Sequence, residues 1–478
     1  MAGSVVLLAL LRFVIAFISN AQDEALSSQA QALLRPPPNP LQPEDNIYLA
    51  LEGFDAPAGE SVIAVGQARV EHYNRNIDAA LRDPSPQRMA SLRADGQRLA
   101  FRGDVSFLHP LDGSVWSEAS QHQAQIEKLL ADNGELYRRY LDLLPMRGYY
   151  ETARAGEFVP FSDVPGEVRK LFLAAIALHL RSAFARERER ALADLELDVQ
   201  LWRAVLTAHG ALLWKMQSVA YLQSDYLLLA DLIADERALP RTVTEGDALV
   251  PLFDLKDWDI GSAFAAEFRL TASVLRGVDR HPAATPGAEG LTHAGFRGWL
   301  DRAGNRVTAH FLKVNATENL LARQTAREML AAADPAKSGD GVRPAGSWLL
   351  EDQSVWSLPF SYNPVGKVLA AVAVPAFDNC PRRAWDGAAL QRLVRLGYEI
   401  RRRGLDGAGI PAFLDGHPEW STHPADGRPF LWDAARAELS VQTVAQYARG
   451  RRFSIHLWRA ASAGDARPAA LAPPGTSR

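Results

Sequence analysis

The sequence predicts a mainly α fold, an irregular helical bundle or array that ends in a small antiparallel β-sheet. Apolar residues recur at helical spacing through most of the chain, whereas alternating apolar and polar residues occur near the C-terminus. No helical unit is repeated as a series, and a solenoid needs at least about three repeats. With 478 residues, of which 47% are hydrophobic, the chain can bury a substantial core.

The N-terminal segment, residues 1–21, is apolar over positions 5–18 apart from Arg12. As one helix it would span about 31 Å, against a hydrocarbon core of about 30 Å. We therefore expect a membrane anchor or signal segment, with a single pass through the inner membrane and the body in the periplasm. Its last residues, Ser-Asn-Ala, resemble a signal cleavage site, so secretion to the periplasm after cleavage is an alternative. A buried N-terminal helix of a soluble protein is another.

Residues 22–45 are predicted to form a spacer, because five prolines occur at positions 36, 37, 38, 40 and 43. Proline at this density favours the extended polyproline II conformation, which is semi-rigid. A helical domain over 46–280 and a second helical part over 290–459 follow, and the Gly- and Pro-rich stretch 276–290 separates them. Residues 460–478 consist mostly of small residues and proline and are predicted to be disordered.

The periodicity of apolar residues places the individual elements. Six long helices are predicted, over 118–144, 166–186, 188–208, 211–235, 307–334 and 385–403. Three short strands are predicted near the C-terminus, over 429–433, 437–441 and 451–458. In the last strand Phe453, Ile455 and Leu457 share one face, which predicts a half-buried sheet.

The stretch NPVGKV, residues 363–368, places a glycine and a lysine at the start of an apolar helical run. A Walker phosphate loop needs another glycine five residues earlier and a Ser or Thr after the lysine, but Ser361 and Val368 occupy these positions. Asn363 is a favourable N-cap and Pro364 suits the first helical position. The stretch therefore predicts a helix start, not a nucleotide site.

Composition and motifs exclude several classes of function. A net charge of −4 with a pI near 6.3 gives no basic footprint, so no nucleic-acid partner is expected. The single cysteine, Cys380, excludes an internal disulfide and a Cys-rich zinc site. No dinucleotide loop, serine-hydrolase elbow or His-Glu-x-x-His motif is present, and no cofactor is expected.

The clearest local cluster of metal-ligand side chains lies in the loop DGHPEWSTHPADG, residues 415–427. Two imidazoles and nearby carboxylates on a constrained loop suit a divalent metal, whose bound water would be a nucleophile. The same residue types occur in any polar, proline-containing surface loop. No metal is therefore assigned, and the loop contributes only weak candidate ligands: Asp415, His417, Glu419, His423 and Asp426.

Two glutamates, Glu318 and Glu351, are candidates for acid–base work on a glycan, although the separation of such a pair is set by the fold. Glu318 is equally explained as an acid in the first turn of a helix, where the helix dipole favours it. His179 and His209 fall within the dense helical block, where we expect core or edge histidines. The catalytic residues remain unassigned.

Several stretches together carry a resemblance: residues 45–60, 363–370, 423–441 and 451–458. They resemble a loosely defined group of uncharacterised, membrane-anchored envelope proteins of Gram-negative bacteria. The resemblance spans most of the chain after the spacer and implies a periplasmic body. It implies no activity and no catalytic residue.

Two functions from different classes are compatible with these observations. The first is a non-enzymatic module of the cell envelope, whose helical body presents a surface to another envelope protein, to peptidoglycan or to lipid. The alternative is an envelope hydrolase or lyase that acts on a glycan or peptide with a site formed only in the fold. A deep pocket lined by several buried, mutually close ionisable groups would favour the enzyme.

Overall fold

The structure is a computed structural model that describes residues 2–82, 85–93, 96–111, 114–155, 162–235, 254–280, 310–334, 361–373, 379–446 and 451–458. Within these ranges the chain forms helices and one small antiparallel sheet, which confirms the predicted fold class. Glu351 and the predicted tail 460–478 lie outside the described residues, as does most of the predicted boundary 276–290.

The helices of the N-terminal half are α1 (Ala2–Ser19), α2 (Ser28–Leu34), α3 (Ile47–Glu52), α4 (Val62–Arg82), α5 (Pro86–Ala90), α6 (Val115–Gln121), α7 (Gln123–Asp132), α8 (Gly134–Leu143), α9 (Val164–Leu180), α10 (Ala185–Thr207) and α11 (Leu212–Ala234). The later helices are α12 (Gly261–Arg280), α13 (Val314–Ala333), α14 (Pro364–Ala373), α15 (Asn379–Arg402) and α16 (Ile410–Asp415). The strands are β1 (Leu431–Asp433), β2 (Glu438–Gln442) and β3 (Arg452–His456). Short 3-10 helices cover Pro43–Asp45 and Leu255–Trp258.

The predicted membrane anchor is wrong. No helix in the described part of the chain has both the length and the apolar character that crossing a bilayer requires. The expected helix of residues 1–21 instead ends at Ser19, and Asn20 is fully buried. Its side-chain amide donates to the Ser361 carbonyl at 2.6 Å and its oxygen accepts the Asn363 N–H at 2.8 Å. The end of this segment is thus bound to the folded body, and the predicted single-pass inner-membrane localisation is wrong as well.

The main core lies among α9, α10, α11 and α15. Helix α11 packs most extensively against α15 and also contacts α10, so its buried residues lie on several sides. This broad burial explains why α11 shows weak amphipathic character although it is a regular helix. Fully buried aromatic rings, among them Phe172, Trp202 and Trp385, fill the space between these helices.

A second apolar cluster joins α2, α12, α13 and α14. Ala30 of α2 is fully buried there, together with Phe268, Leu321 and Leu369. Residues of the predicted spacer therefore pack against α12 and α13. This placement brings the end of α2 next to Arg269 of α12.

The predicted helix over 118–144 is instead three helices, α6, α7 and α8, with breaks at His122 and Asn133. The buried side chain of Asn133 accepts the Arg102 N–H and donates to the Arg102 carbonyl, both at 2.8 Å. It also donates to the Leu129 carbonyl at 2.9 Å. A tertiary contact with a distant loop therefore ends the helix, and local periodicity carries no trace of it.

The sheet has the order β1-β2-β3, and both pairings are antiparallel. Phe453 and Ile455 are buried whereas Ser454 and His456 are exposed, so the predicted alternation is confirmed. The sheet packs on α15 at Gly397, where an added Cβ would lie 2.6 Å from the Ile455 side chain. Glycine there permits the close approach of helix and strand.

Helix α14 begins as the sequence predicts. The Asn363 side-chain oxygen accepts the Gly366 N–H at 3.2 Å, and it also accepts the Lys313 N–H at 2.9 Å. Asn363 adopts a φ of 50°, which asparagine tolerates better than most residues. The cap therefore also joins α14 to the start of α13.

Candidate functional site

A cavity of about 470 Å³ lies where the start of α11, one side of α12 and residues 150–155 meet. Leu34 and Pro36, which follow α2 in the chain, also line it. Its apolar lining includes Leu270 and the ring of Tyr150, and the volume falls in the range of about 300–1,000 Å³ typical of small-molecule sites. Besides Tyr150, the ionisable groups in its wall are Glu151, Arg154, His209, Glu267, Arg269 and Arg276.

Two carboxylates converge on the first turn of α11. Glu151 Oε2 accepts the backbone N–H of Ala211 at 2.6 Å, and Glu267 Oε1 accepts the N–H of Leu212 at 3.0 Å. These amides belong to the start of a helix, where N–H groups lack intrahelical partners and the dipole favours negative charge. Because the two amides are consecutive, the two carboxylates are held close together in one wall of the cavity.

Burial controls the protonation of this pair. Desolvation raises the pKa of Glu151 to about 7; the Ala211 N–H and the charges of Arg269 and Lys215 lower it, and the charge of Glu267 raises it further. Desolvation also raises the pKa of Glu267, while its own backbone hydrogen bond and Arg269 oppose this. Glu151 can therefore gain and lose a proton near neutral pH, which is the property of a general acid or base.

His209 lies in the turn between α10 and α11 and interacts with α12. Its Nε2 is 2.9 Å from Nη2 of Arg269. Because a guanidinium only donates, Nε2 must accept, and the ring proton sits on Nδ1. Burial, followed by the charges of Arg269 and Lys215, lowers the pKa of His209 to about 4. The imidazole is therefore neutral near pH 7.

The three arginines of the cavity differ in their partners. Arg154 forms a bidentate ion pair with Asp78, with distances of 2.7 and 2.9 Å. Arg276 forms one with Glu318, with both distances 2.7 Å. Within the described ranges Arg269 forms no direct ion pair with a carboxylate, although the charges of Glu151 and Glu267 act on it. It is the side chain best placed to attract an acidic or strongly polar group of a ligand.

Leu34 and Pro36 of the predicted spacer line one side of the cavity, and main-chain carbonyls of their neighbours accept hydrogen bonds from its wall. Arg269 Nη1 donates to the carbonyl of Leu33 at 3.1 Å, and the Tyr150 hydroxyl donates to the carbonyl of Pro37 at 2.5 Å. We call residues 33–37 the strap. The strap thus holds on to two side chains that line the cavity.

A buried lysine fixes the turn that carries His209. Lys215 Nζ donates to the carbonyls of Val205 at 3.0 Å and Leu206 at 2.6 Å, and also to that of Ala208. These carbonyls lie at the C-terminal end of α10, where helices leave acceptors unpaired and favour a cation. Burial nevertheless lowers the pKa of Lys215 to about 7.

Gly210, next to His209, provides space in the same turn. An added Cβ would meet a ring carbon of Tyr149 at 2.7 Å, the Tyr149 hydroxyl at 3.2 Å and Glu151 Oε2 at 3.4 Å. A side chain here would displace the tyrosine or the carboxylate. Glycine is therefore required for the approach of the turn to residues 149–151.

The sequence-predicted site residues lie elsewhere. Glu318 is fully buried behind the cavity and holds Arg276, so it contributes to the wall only indirectly. The fully buried His423 donates from Nε2 to Asp386 at 3.1 Å, because its Nδ1 accepts the Ala425 N–H at 3.1 Å. Both ring nitrogens are therefore engaged in holding the loop on α15.

Two of the remaining loop candidates, His417 and Asp426, are also engaged locally. His417 Nδ1 is 2.8 Å from the Phe413 carbonyl, and Asp426 pairs with Arg428. Among the described residues no group of three or more His, Cys, Asp or Glu side chains could hold a metal ion.

Sequence reasoning missed Glu151, Glu267 and Arg269, and it placed His209 in a helix as a core or edge histidine. These residues come from three separate segments, and only the packing of α12 against α11 brings them together. No spacing pattern in the sequence identifies these site residues. Glycine after His209, between two apolar helices, was the one local sign of a tight turn.

Comparison with known proteins adds no family to this description. The chain matches no protein-family model, no curated protein and no solved structure. The resemblance to membrane-anchored envelope proteins therefore stays a prediction, and the site must be interpreted from its own geometry.

Proposed function

We propose that the cavity is an acid–base catalytic site and that the protein is a hydrolase or lyase acting on a glycan or peptide. The observation that carries the proposal is the pair of carboxylates, Glu151 and Glu267, held side by side on the start of α11. In a non-enzymatic module we would expect the ionisable groups to be dispersed on a convex surface. Here they converge in one cavity, and this supports the enzyme.

The two carboxylates suit complementary roles. Glu151, with a pKa of about 7, donates a proton to the leaving group, while Glu267, positioned by the Leu212 N–H, accepts a proton from the attacking water or from the substrate carbon. Glycan-cleaving enzymes place two such carboxyl groups about 5 to 9.5 Å apart. Attachment to consecutive amides is consistent with a separation of this order.

The other groups of the wall suit substrate binding. Arg269 would hold a carboxylate or hydroxyl oxygen of the substrate, and its bond to His209 fixes the guanidinium plane. The Tyr150 ring offers a flat apolar face, and its hydroxyl is already committed to the strap. The cavity volume of about 470 Å³ leaves room for about one or two sugar rings or a dipeptide.

The test is cleavage of glycan and peptide panels by the full chain and by two variants, Glu151→Gln and Glu267→Gln. Each variant keeps the side-chain shape and removes the proton exchange, and we expect kcat/KM to fall by about 100-fold or more. Glu127→Gln is the matched control, because Glu127 is an exposed residue of α7 that pairs only locally with Gln123. Full activity in both cavity variants, or no cleavage of any panel member by the wild-type chain, would refute the proposal.

A further inference from the structure

A group of buried polar atoms lies beneath the cavity wall. The hydroxyls of Tyr48, Tyr73, Tyr149 and Thr152 and Oε1 of Glu52 are shielded from solvent, and no described atom is a hydrogen-bond partner for any of them. Leaving one such group unsatisfied costs about 1–3 kcal/mol, so native proteins satisfy them, commonly with internal water. Several in one region therefore point to bound polar molecules.

Several of these groups lie near Glu151, since besides burial its charge raises the pKa of each of them: Tyr48, Glu52, Tyr73 and Tyr149. Tyr48 and Tyr149 are in edge contact, with ring centroids 6.0 Å apart. The Tyr149 hydroxyl and Glu151 Oε2 lie 3.2 and 3.4 Å from a single point, the Cβ position of Gly210. Glu52 lies one helical turn after Tyr48 on α3, so its side chain is on the same face.

Hydrogen bonds to the main chain join the two segments that carry most of this group, α3 and residues 148–152. The Asn46 side chain donates to the Tyr150 carbonyl at 2.8 Å and accepts the Tyr150 N–H at 3.0 Å. The Ile47 N–H donates to the Gly148 carbonyl at 2.8 Å. Helix α3 and residues 148–152 are therefore fixed relative to each other, and the group is a built feature of the fold.

We infer that these groups, which we call the polar chamber, bind internal water that connects the Glu52 carboxyl to Glu151 and returns protons to it. The inference rests on the proposed function, because it assigns Glu52 to the proton supply of that site. Water and tyrosine hydroxyls both donate and accept, so they can form a continuous chain. When Glu151 has given its proton to the leaving group, Glu52 releases one proton along the chain and becomes a carboxylate. Solvent later restores the proton, and no electrons are exchanged.

The environment of Glu52 supports this exchange. Burial and the charge of Glu151 raise the pKa of Glu52 to about 8, Asp55 adds to this, and Arg69 and Arg98 oppose it. This value is close to the pKa of about 7 for Glu151, so moving a proton between them costs little. Glu52 is therefore a positioning residue that acts through Glu151.

The first measurement is an NMR titration of glutamate carboxyl carbons in the full chain without substrate. Glu52→Gln and Glu151→Gln identify the two signals, and the Glu52 midpoint in Glu151→Gln is then compared with wild type. We expect a fall of at least about half a unit, because the neighbouring charge that raises the Glu52 pKa is gone. Glu127→Gln, on exposed α7, should leave the midpoint unchanged. An unchanged midpoint in Glu151→Gln would overturn the inference.

The second measurement is a crystal structure of wild type and of Tyr149→Phe, which removes only the hydroxyl. We expect ordered water within about 3.2 Å of the Tyr149 hydroxyl and of Glu52 Oε1 in wild type, and its loss or displacement in the variant. A dry chamber in wild type would overturn the inference even if the two carboxyls are coupled. Neither measurement uses a substrate, so failure of the proposed cleavage activity and failure of the chamber are separate results.

Discussion

Replacing Arg169 by methionine tests how α9, α10 and α11 are held together. The Arg169 guanidinium is fully buried and donates to Asp198 Oδ2 at 2.8 and 3.1 Å, and it also pairs with Asp225. It further donates to the Ser224 hydroxyl at 2.8 Å and the Tyr221 carbonyl at 3.0 Å. One side chain therefore compensates two carboxylates that have no exposure to solvent.

The size of the effect follows from what Arg169→Met leaves behind. Methionine fills most of the space but leaves Asp198 and Asp225 buried without a cation, and breaking a buried pair in this way costs about 3–5 kcal/mol. Burial already raises the pKa of Asp225, although Arg169 opposes the shift. Without Arg169, Asp225 binds a proton more readily in the folded state. The destabilisation should therefore shrink as the pH falls from 7 toward 5.

Chemical denaturation at pH 7 and pH 5 measures this effect, with Arg138→Met as the matched control. Arg138 also pairs with two acids, Glu135 and Asp142, but its side chain is 61% exposed. Surface pairs contribute about 0–1 kcal/mol, so the control should lose less than about 1 kcal/mol. Equal losses in the two variants, or a loss in Arg169→Met that is the same at both pH values, would contradict this role of Arg169.

Three further predictions concern the site and its supports. Burial raises the pKa of Glu52 from its ordinary value of 4.5 to about 8. The stability that protonated Glu52 contributes is therefore fully present below about pH 4.5 and is lost as the pH rises through 8. Glu52→Gln should remove this pH dependence, which amounts to up to about 5 kcal/mol. Urea unfolding at pH 5 and pH 8.5 measures it, and an equal loss of unfolding free energy between these pH values in wild type and variant would contradict the prediction. Gly210→Ala should disrupt the cavity and lower stability by about 1–3 kcal/mol, because its Cβ would meet the Tyr149 ring at 2.7 Å. Thermal unfolding measures this loss, and Gly134→Ala is the control, because an added Cβ at Gly134 meets nothing within 4 Å. Asn363→Ala should cost about 1–2 kcal/mol and Asn363→Gly less, because glycine tolerates the φ of 50°; the reverse order in denaturation would contradict the cap.

The parts of the fold that the sequence predicted are those in which local pattern and packing agree. The predicted helices 166–186, 188–208 and 211–235 correspond to α9, α10 and α11, because long apolar faces there are also the faces that pack. Asn133 shows the opposite case. Its side chain binds the backbone of Arg102, and this distant partner ends a helix that local periodicity would continue.

The sequence could not predict the packing of the N-terminal segment or the residues of the site, for the same physical reason. The apolar character of residues 1–21 is visible in the sequence, but the burial of Asn20 against Asn363 depends on contacts across more than 300 positions. Likewise, the raised pKa values of Glu151 and Glu267 come from their burial in the fold, since an exposed glutamate of the same sequence context would ionise normally. Residue type and spacing do not encode such neighbours.

The strap contributes only peptide oxygens to the bonds that secure it, from Leu33 to Arg269 and from Pro37 to Tyr150. Every amino acid supplies the same oxygen. Substitutions in the strap that keep the path of the main chain therefore leave these two hydrogen bonds in place, although Leu33 and Leu34 also pack against the second apolar cluster. Replacing Arg269 or Tyr150 would instead remove one of the two hydrogen bonds.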